Sequence, residues 1–154
     1  MNTYFKLRDT LKTVINEEAF NNTVTSGNIA NVMAILNKQV IFPLANIQIN
    51  SSTVEAQTIS YNVTIFYLDL VDFSKAEETD LFNGNDNTDD VISTQEQLSI
   101  NILRKLQRDS RFNQDFEIFG VMSLEHFEET LKDKLAGVAA TLDIVMKTDM
   151  TICS

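Results

Sequence analysis

The sequence predicts a single α+β domain framed by a long central strand, and three observations lead there. Within Thr58 to Asp72, residues Ile59, Tyr61, Val63, Ile65 and Tyr67 alternate with Ser60, Asn62 and Thr64, the period of a strand with one buried face. Just before it, Lys38 to Ile49 forms a second β-rich run, near enough in sequence to pair with the first in antiparallel fashion. Two further segments, about 2 to 19 and 90 to 109, place apolar residues at helical spacing.

The chain has 154 residues, 44% of them hydrophobic, with four glycines and one proline. That length suits one domain over 1–154, able to bury roughly two thirds of its unfolded surface without disulfides or metals. Twelve basic residues against twenty-two acidic ones give a net charge of −10. Such a balance argues against a broad nucleic-acid footprint, because phosphate neutralisation needs clustered Lys and Arg. Cys153 is the only cysteine, so no intramolecular disulfide can form and a reducing compartment is expected. The first twenty residues include Lys6, Arg8, Lys12, Glu17 and Glu18 and lack the apolar core of a signal peptide. No apolar run approaches the roughly 18 residues of a membrane span, and the expectation is a soluble protein with no membrane partner. Sequons at Asn21, Asn50 and Asn62 are then accidental.

Taken in order, Tyr4, Leu7, Leu11 and Val14 or Ile15 form one apolar stripe of a first helix, with Lys6, Asp9 and Lys12 opposite. Thr23 to Thr25 suit a short strand, and Ser26-Gly27-Asn28 a turn. Residues 29 to 37 fit a short helix or a strand, the spacing of Ile29, Val32, Met33 and Leu36 favouring helix. Pro43 cannot donate to a ladder, so its strand should lie at an edge or bulge nearby. Asn50-Ser51-Ser52 reads as the turn into the long strand. From Phe66 onward both parities of that strand are apolar, which predicts cover on both faces.

Residues 73 to 90 form an acidic polar loop, with Glu77, Glu78, Asp80, Asp86, Asp89 and Asp90 among asparagines. A helix follows, capped by Asp89 or Asp90 and reaching about Asp109. Val91, Leu98, Ile102 and Leu106 share one face, and Arg104, Lys105 and Arg108 gather at the negative end of its dipole. Arg111 to Asp115 reads as loop, and Phe116 to Met122 as a short strand interrupted by Gly120. Leu124 to Leu135 is open between helix and strand. Ala136-Gly137 reads as a turn or bulge before a closing strand in which Val138, Ala140, Leu142, Ile144 and Met146 alternate with their neighbours.

Catalytic chemistry has little to start from. His126 is the only histidine, which excludes multi-histidine metal sites and two-histidine relays within one chain, and its plain reading is a surface side chain. Glycines at 27, 84, 120 and 137 make no phosphate loop. Asp80 to Val91 has the oxygen ligands of a calcium loop but puts Phe82 at a ligand position, Asn85 where the turn glycine belongs and Val91 in place of the final Glu. No cofactor, metal or catalytic residue is therefore expected, and the reading is non-enzymatic.

The order of features is what points further. An N-terminal helix, the small Val24-Thr25-Ser26-Gly27 segment, Asn37-Lys38-Gln39 leading into Ile41-Phe42-Pro43-Leu44, and a strand ending in Leu68-Asp69-Leu70-Val71-Asp72 resemble tail terminator and head-tail connector proteins of tailed bacteriophages. The likeness extends through the polar loop, the helix from Val91 and the closing strand after Leu135-Ala136-Gly137. It implies a mixed or antiparallel sheet flanked by helices, strand rather than helix for Leu124 to Leu135, and a structural subunit of the virion neck or tail, assembled in the host cytoplasm. It also implies a six- or twelve-fold ring, portal, neck or tail proteins as partners, and DNA passing through the lumen without sequence-specific binding. An acidic lumen would repel the duplex. Ring closure needs two different complementary surfaces on each subunit. The candidates are Glu78, Asp80, Asp86 and Asp89 on the acidic loop against Arg104, Lys105 and Arg108 on a neighbour, with independent solvated faces as the plainer alternative. The other readings are an intracellular adaptor that takes a peptide along the edge of the Pro43 strand, and a small-ligand-binding α+β domain.

Overall fold

A single five-stranded sheet organises the computed structural model, which describes residues 3–18, 23–28, 43–70, 88–130 and 134–146. Its strands are β1 (Thr23–Ser26), β2 (Leu44–Val54), β3 (Ile59–Leu70), β4 (Phe116–Thr130) and β5 (Lys134–Met146), in the spatial order β1-β2-β3-β5-β4. The β1–β2 pair is parallel and the other three are antiparallel, so the sheet is mixed. The helices are α1 (Thr3–Asn16), α2 (Thr88–Arg108) and the single turn α3 (Ser110–Asn113). The class is α+β, and the expected long strand, β3, is the middle one of five.

One face of the sheet meets the helices. Tyr61, Val63, Ile65 and Tyr67 of β3, Ala45 and Ile47 of β2, and Val138, Ala140, Leu142 and Ile144 of β5 pack there with Leu7, Leu11, Val14 and Ile15 of α1 and Leu98, Ile102 and Leu106 of α2. These α1 side chains are fully buried, each worth about 1.5–3 kcal/mol relative to exposure. Tyr4 falls within the same arc by helical spacing, between Leu11 and Ile15, but in the first turn of α1 it is 43% exposed. Tyr67 and Leu68 are both 1% exposed, so the far end of β3 is covered on both sides as its sequence predicts. Burial pushes the Tyr67 phenol well above its ordinary pKa.

Several boundaries differ from the sequence reading. Pro43 stands just before β2, so its missing N–H removes no ladder bond. The first residues of β2 are flanked by β1 and β3, and the register shift falls at Ile49/Ser51, not at Pro43. Asn50-Ser51-Ser52 is strand, since its polarity reflects solvent and not chain reversal; the turn is at Glu55 to Thr58, where Glu55 N donates to Thr58 O at 2.8 Å. Both Asp89 and Asp90 lie in the first turn of α2, which begins at Thr88. Arg111 to Asp115 opens with α3, capped by Asp109, whose carboxylate accepts from Arg111 N. Residues 124 to 130 belong to β4, so the helical alternative for this stretch is wrong. Ala136 and Gly137 lie inside β5, with Gly137 between Leu68 and Phe127. The expectations for 29–37 and 73–87, and Cys153, fall outside the described residues.

The second face of the sheet is polar over its central part. Asn50 Nδ2 donates to Asn62 Oδ1 at 2.9 Å and to Thr64 Oγ1 at 2.8 Å, Asn62 Nδ2 donates to Asp143 Oδ1 at 3.0 Å, and the hydroxyls of Thr64 and Thr141 lie 3.3 Å apart. Three strands are thus cross-linked by side chains outside the core. Buried Asn46 accepts from Thr25 Oγ1 at 2.8 Å and donates to Gly27 O at 3.0 Å, which fastens β1 and its turn to β2. Gly27 turns with φ 114°, open to glycine alone without strain.

Candidate functional site

The most strongly charged cluster lies where the ends of α1, α2 and α3 meet. Glu17, just beyond α1, accepts from both terminal nitrogens of Arg111 at 2.7 Å and pairs with Lys105 Nζ at 3.1 Å. Arg111 also reaches Asp109, Nη2 to Oδ2 at 2.6 Å and Nε to Oδ1 at 3.0 Å. The fork geometry of a guanidinium explains how one arginine serves two carboxylates. Arg111, followed by Lys105, holds the Glu17 carboxyl down at about 2, and Arg111 holds Asp109 down at about 2. The two acids in turn push the Arg111 guanidinium above its already high ordinary value. Nearby, Lys6 pairs with Asp115 at 2.8 Å.

This cluster reassigns part of the sequence-derived set. Lys105 does sit in the last turn of α2, but its partner is Glu17 of the same chain. Arg104 and Arg108 are exposed, with Arg108 Nε donating to the Arg104 carbonyl at 3.3 Å. Asp89 is exposed at the opposite end of α2, fifteen residues from Arg104, or about 22 Å at the helical rise, so the two cannot pair within one subunit. Glu78, Asp80 and Asp86 lie outside the described residues. The Glu17–Arg111 partnership was missed because it spans 94 residues and has no local spacing; the Asp109–Arg111 pair is local, two residues apart, but falls where the sequence reads a helix end and a loop.

Pocket chemistry is sparse among the described residues. A surface depression of about 500 Å³ is lined by Lys12, Thr13, Asn16, Glu17 and Val24, and a second of about 250 Å³ by Gln107, Phe112, Asn113, Glu117 and Ile118. No group of three or more metal-ligating side chains occurs among the described residues, and no helix there is long and apolar enough to cross a membrane. His126 is exposed on β4, 3.2 Å from Glu96 Oε1, as its surface reading predicts.

Basic residues concentrate on the helices. Lys6, Arg8, Lys12, Arg104, Lys105, Arg108 and Arg111 all lie there beside Asp9, Asp89, Asp90 and Glu96, whereas the strands include Asp69, Glu117, Glu125, Glu128, Glu129 and Asp143 against Lys134 alone. Among the described residues the outer strand β4 pairs with β5 on one side only. Between Phe119 and Ser123 its register slips, with Gly120 at φ 77°, and the bulge leaves Phe119 69% and Val121 86% exposed. Among the described residues the long free edge is therefore that of β4, and not of the strand after Pro43. Scanned against protein-family models the chain matches none, and no curated protein is similar to it.

Proposed function

We propose that the protein is a structural, non-enzymatic subunit that assembles head to tail into a ring at the neck or tail end of a tailed bacteriophage, leaving a channel for DNA. One observation supports this above the others: among the described residues the two sides of the sheet are unlike, a helix-flanked β1–β2 side and an acidic β4 edge with no strand beyond it. A closed ring built from heterologous contacts needs such a pair of surfaces on each subunit. The order of helix, short strand, hairpin, helix and closing hairpin accords with the resemblance to terminator and connector proteins. Predominantly acidic strands suit a channel wall that DNA slides past.

Arg104 and Arg108 stand as the cations of this reading that a neighbouring subunit or the acidic loop can meet, Lys105 being held by Glu17. Light scattering coupled to size-exclusion chromatography, followed by mass spectrometry of purified virions, tests the proposal. A closed ring and a virion-borne protein support it; a monomer at high concentration counts against it. Charge reversal at Arg104 and Arg108 should weaken the ring at low salt and matter less at high salt, because exposed charge contacts are screened.

A further inference from the structure

We propose that β4 is a two-register strand: its C-terminal part, from Ser123 onward, slides by two residues along β5, which removes the bulge and turns an interrupted edge into a continuous one. The proposal does not depend on the ring reading.

The pairing itself points to the second register. Phe116 to Phe119 pair with Met146 to Asp143, and Ser123 to Thr130 pair with Thr141 to Lys134. Gly120, Val121 and Met122 therefore stand together opposite Leu142, so the bulge holds two residues more than its partner strand. Two is the number that matters. A slip by one turns every side chain of the sliding part to the wrong face, whereas a slip by two keeps each on its own. Ile118, Met122 and Leu124 pack against the core, while Phe119, Val121 and Ser123 are exposed. After the slip Met122 takes the place opposite Ala140 now held by Leu124, and Leu124 takes the place opposite Val138 now held by His126. One ladder then runs unbroken from Phe116 with Met146 to Glu128 with Lys134, and the two surplus residues pass into the connection between the strands.

Three features hold the present register. Phe127 stands opposite Gly137 and meets Phe66 of β3 edge-on, with ring centres 6.1 Å apart. His126 Nε2 lies 3.2 Å from Glu96 Oε1 of α2. Gly120 has φ 77°, a conformation that residues with a side chain rarely adopt. Sliding carries Phe127 and His126 about 6.6 Å along β5, to Leu135 and Ala136, and breaks both contacts. Each is a modest interaction, an aromatic pair and an exposed polar contact. Gly120 is the hinge, since its backbone becomes extended when the bulge is lost.

The switch changes the edge. A bulge in an edge strand blocks the addition of a further strand, so the present register is the guarded one. The slipped register presents a regular edge over 116–128.

Cysteine pairs in a Cys153→Ser background read the register directly. Ser123→Cys with Thr141→Cys closes a disulfide in the present register. Ser123→Cys with Ala139→Cys does so only in the slipped one, because diagonal neighbours stand roughly 7–8 Å apart, beyond disulfide reach. Initial oxidation rates are compared, with circular dichroism verifying that each variant keeps its sheet. In the otherwise unchanged chain the first pair should close faster. Gly120→Val, which opposes positive φ and favours extended strand, should raise the rate of the second pair relative to the first by about tenfold. Phe127→Ala, which releases Phe66 and leaves the bulge untouched, should raise it by about threefold. A second pair that never closes, or a ratio that Gly120→Val leaves unchanged, overturns the proposal; if Gly120→Val does not fold, the ratio in Phe127→Ala decides in its place.

Discussion

Gly137 crosses Tyr67 so closely that a Cβ on the glycine would stand 1.8 Å from the Tyr67 carbonyl oxygen and 2.9 Å from its carbon. Both atoms are backbone in the central strand and cannot swing aside. Gly137→Ala should therefore force β3 and β5 apart and cost about 3 kcal/mol or more, the severe end of overpacking. Gly120→Ala is the control: no atom lies within 4 Å of its Cβ, and only φ 77° opposes it, at about 1–2 kcal/mol. Urea unfolding of the two variants checks the order; equal losses would refute it.

The carboxamide of Gln95 is 1% exposed on the buried face of α2, and its Oε1 has no hydrogen-bond partner among the described residues. An unsatisfied buried acceptor is a cost to the fold. Gln95→Leu, of similar size, should hold or raise stability by about 1 kcal/mol, whereas Gln95→Glu should lower it sharply by burying a charge. Thermal melts at neutral pH measure both.

Asn46 has the opposite balance, with both ends of its amide engaged and no exposure. Asn46→Ala strands the Thr25 hydroxyl and the Gly27 carbonyl, for an expected loss of about 1–3 kcal/mol. Amide hydrogen exchange should locate that loss in 23–28 before the rest of the sheet.

Acid should act at the corner where α1, α2 and α3 meet. Arg111 and Lys105 hold Glu17 at about 2 against an ordinary 4.5, and Asp109 is likewise held at about 2. A lowered carboxylate stabilises the fold above its ordinary pKa, and that stabilisation disappears as pH falls from there towards 2. Melting temperature should decline through that window, and the decline should be shallower in Glu17→Gln. Both groups of the Glu17–Arg111 pair are solvent-accessible, so added salt should shrink the difference.

How far the sequence could be read depended on whether the signal was local. Alternation announced β3 and the closing strand, and helical spacing announced α1 and α2, because each pattern records a nearby buried face. Polarity misled at Asn50-Ser51-Ser52: the open face of a sheet rewards the same residues as a turn does. Ala136-Gly137 misled for a related reason, since a glycine required by close strand approach looks like a glycine required by a bend. Of the candidate interaction residues, Arg104, Lys105 and Arg108 were placed on the right helix, whereas Asp89, read as part of the acidic loop or as a cap, lies in the first turn of α2. The partner of Lys105 was illegible because Glu17 lies far away in sequence, just beyond α1. Exposure of Phe119 and Val121 was equally hidden, since an apolar residue on a strand gives no sign that a bulge will turn it outward.

The seam between β3 and β5 also governs how the chain reaches this structure. The hairpins β2–β3 and β4–β5 each close over short connections, but the pairs that join them, such as Asn62 with Asp143 and Thr64 with Thr141, are 81 and 77 residues apart. Loop-closure entropy must be met before those contacts return anything, and folding rates fall as such non-local contacts dominate. The two hairpins are thus expected to form early and wait for each other. Until they join, the two strands that end in the middle of the sheet each keep one edge unpaired, which makes the slow step of folding also the step most open to aggregation.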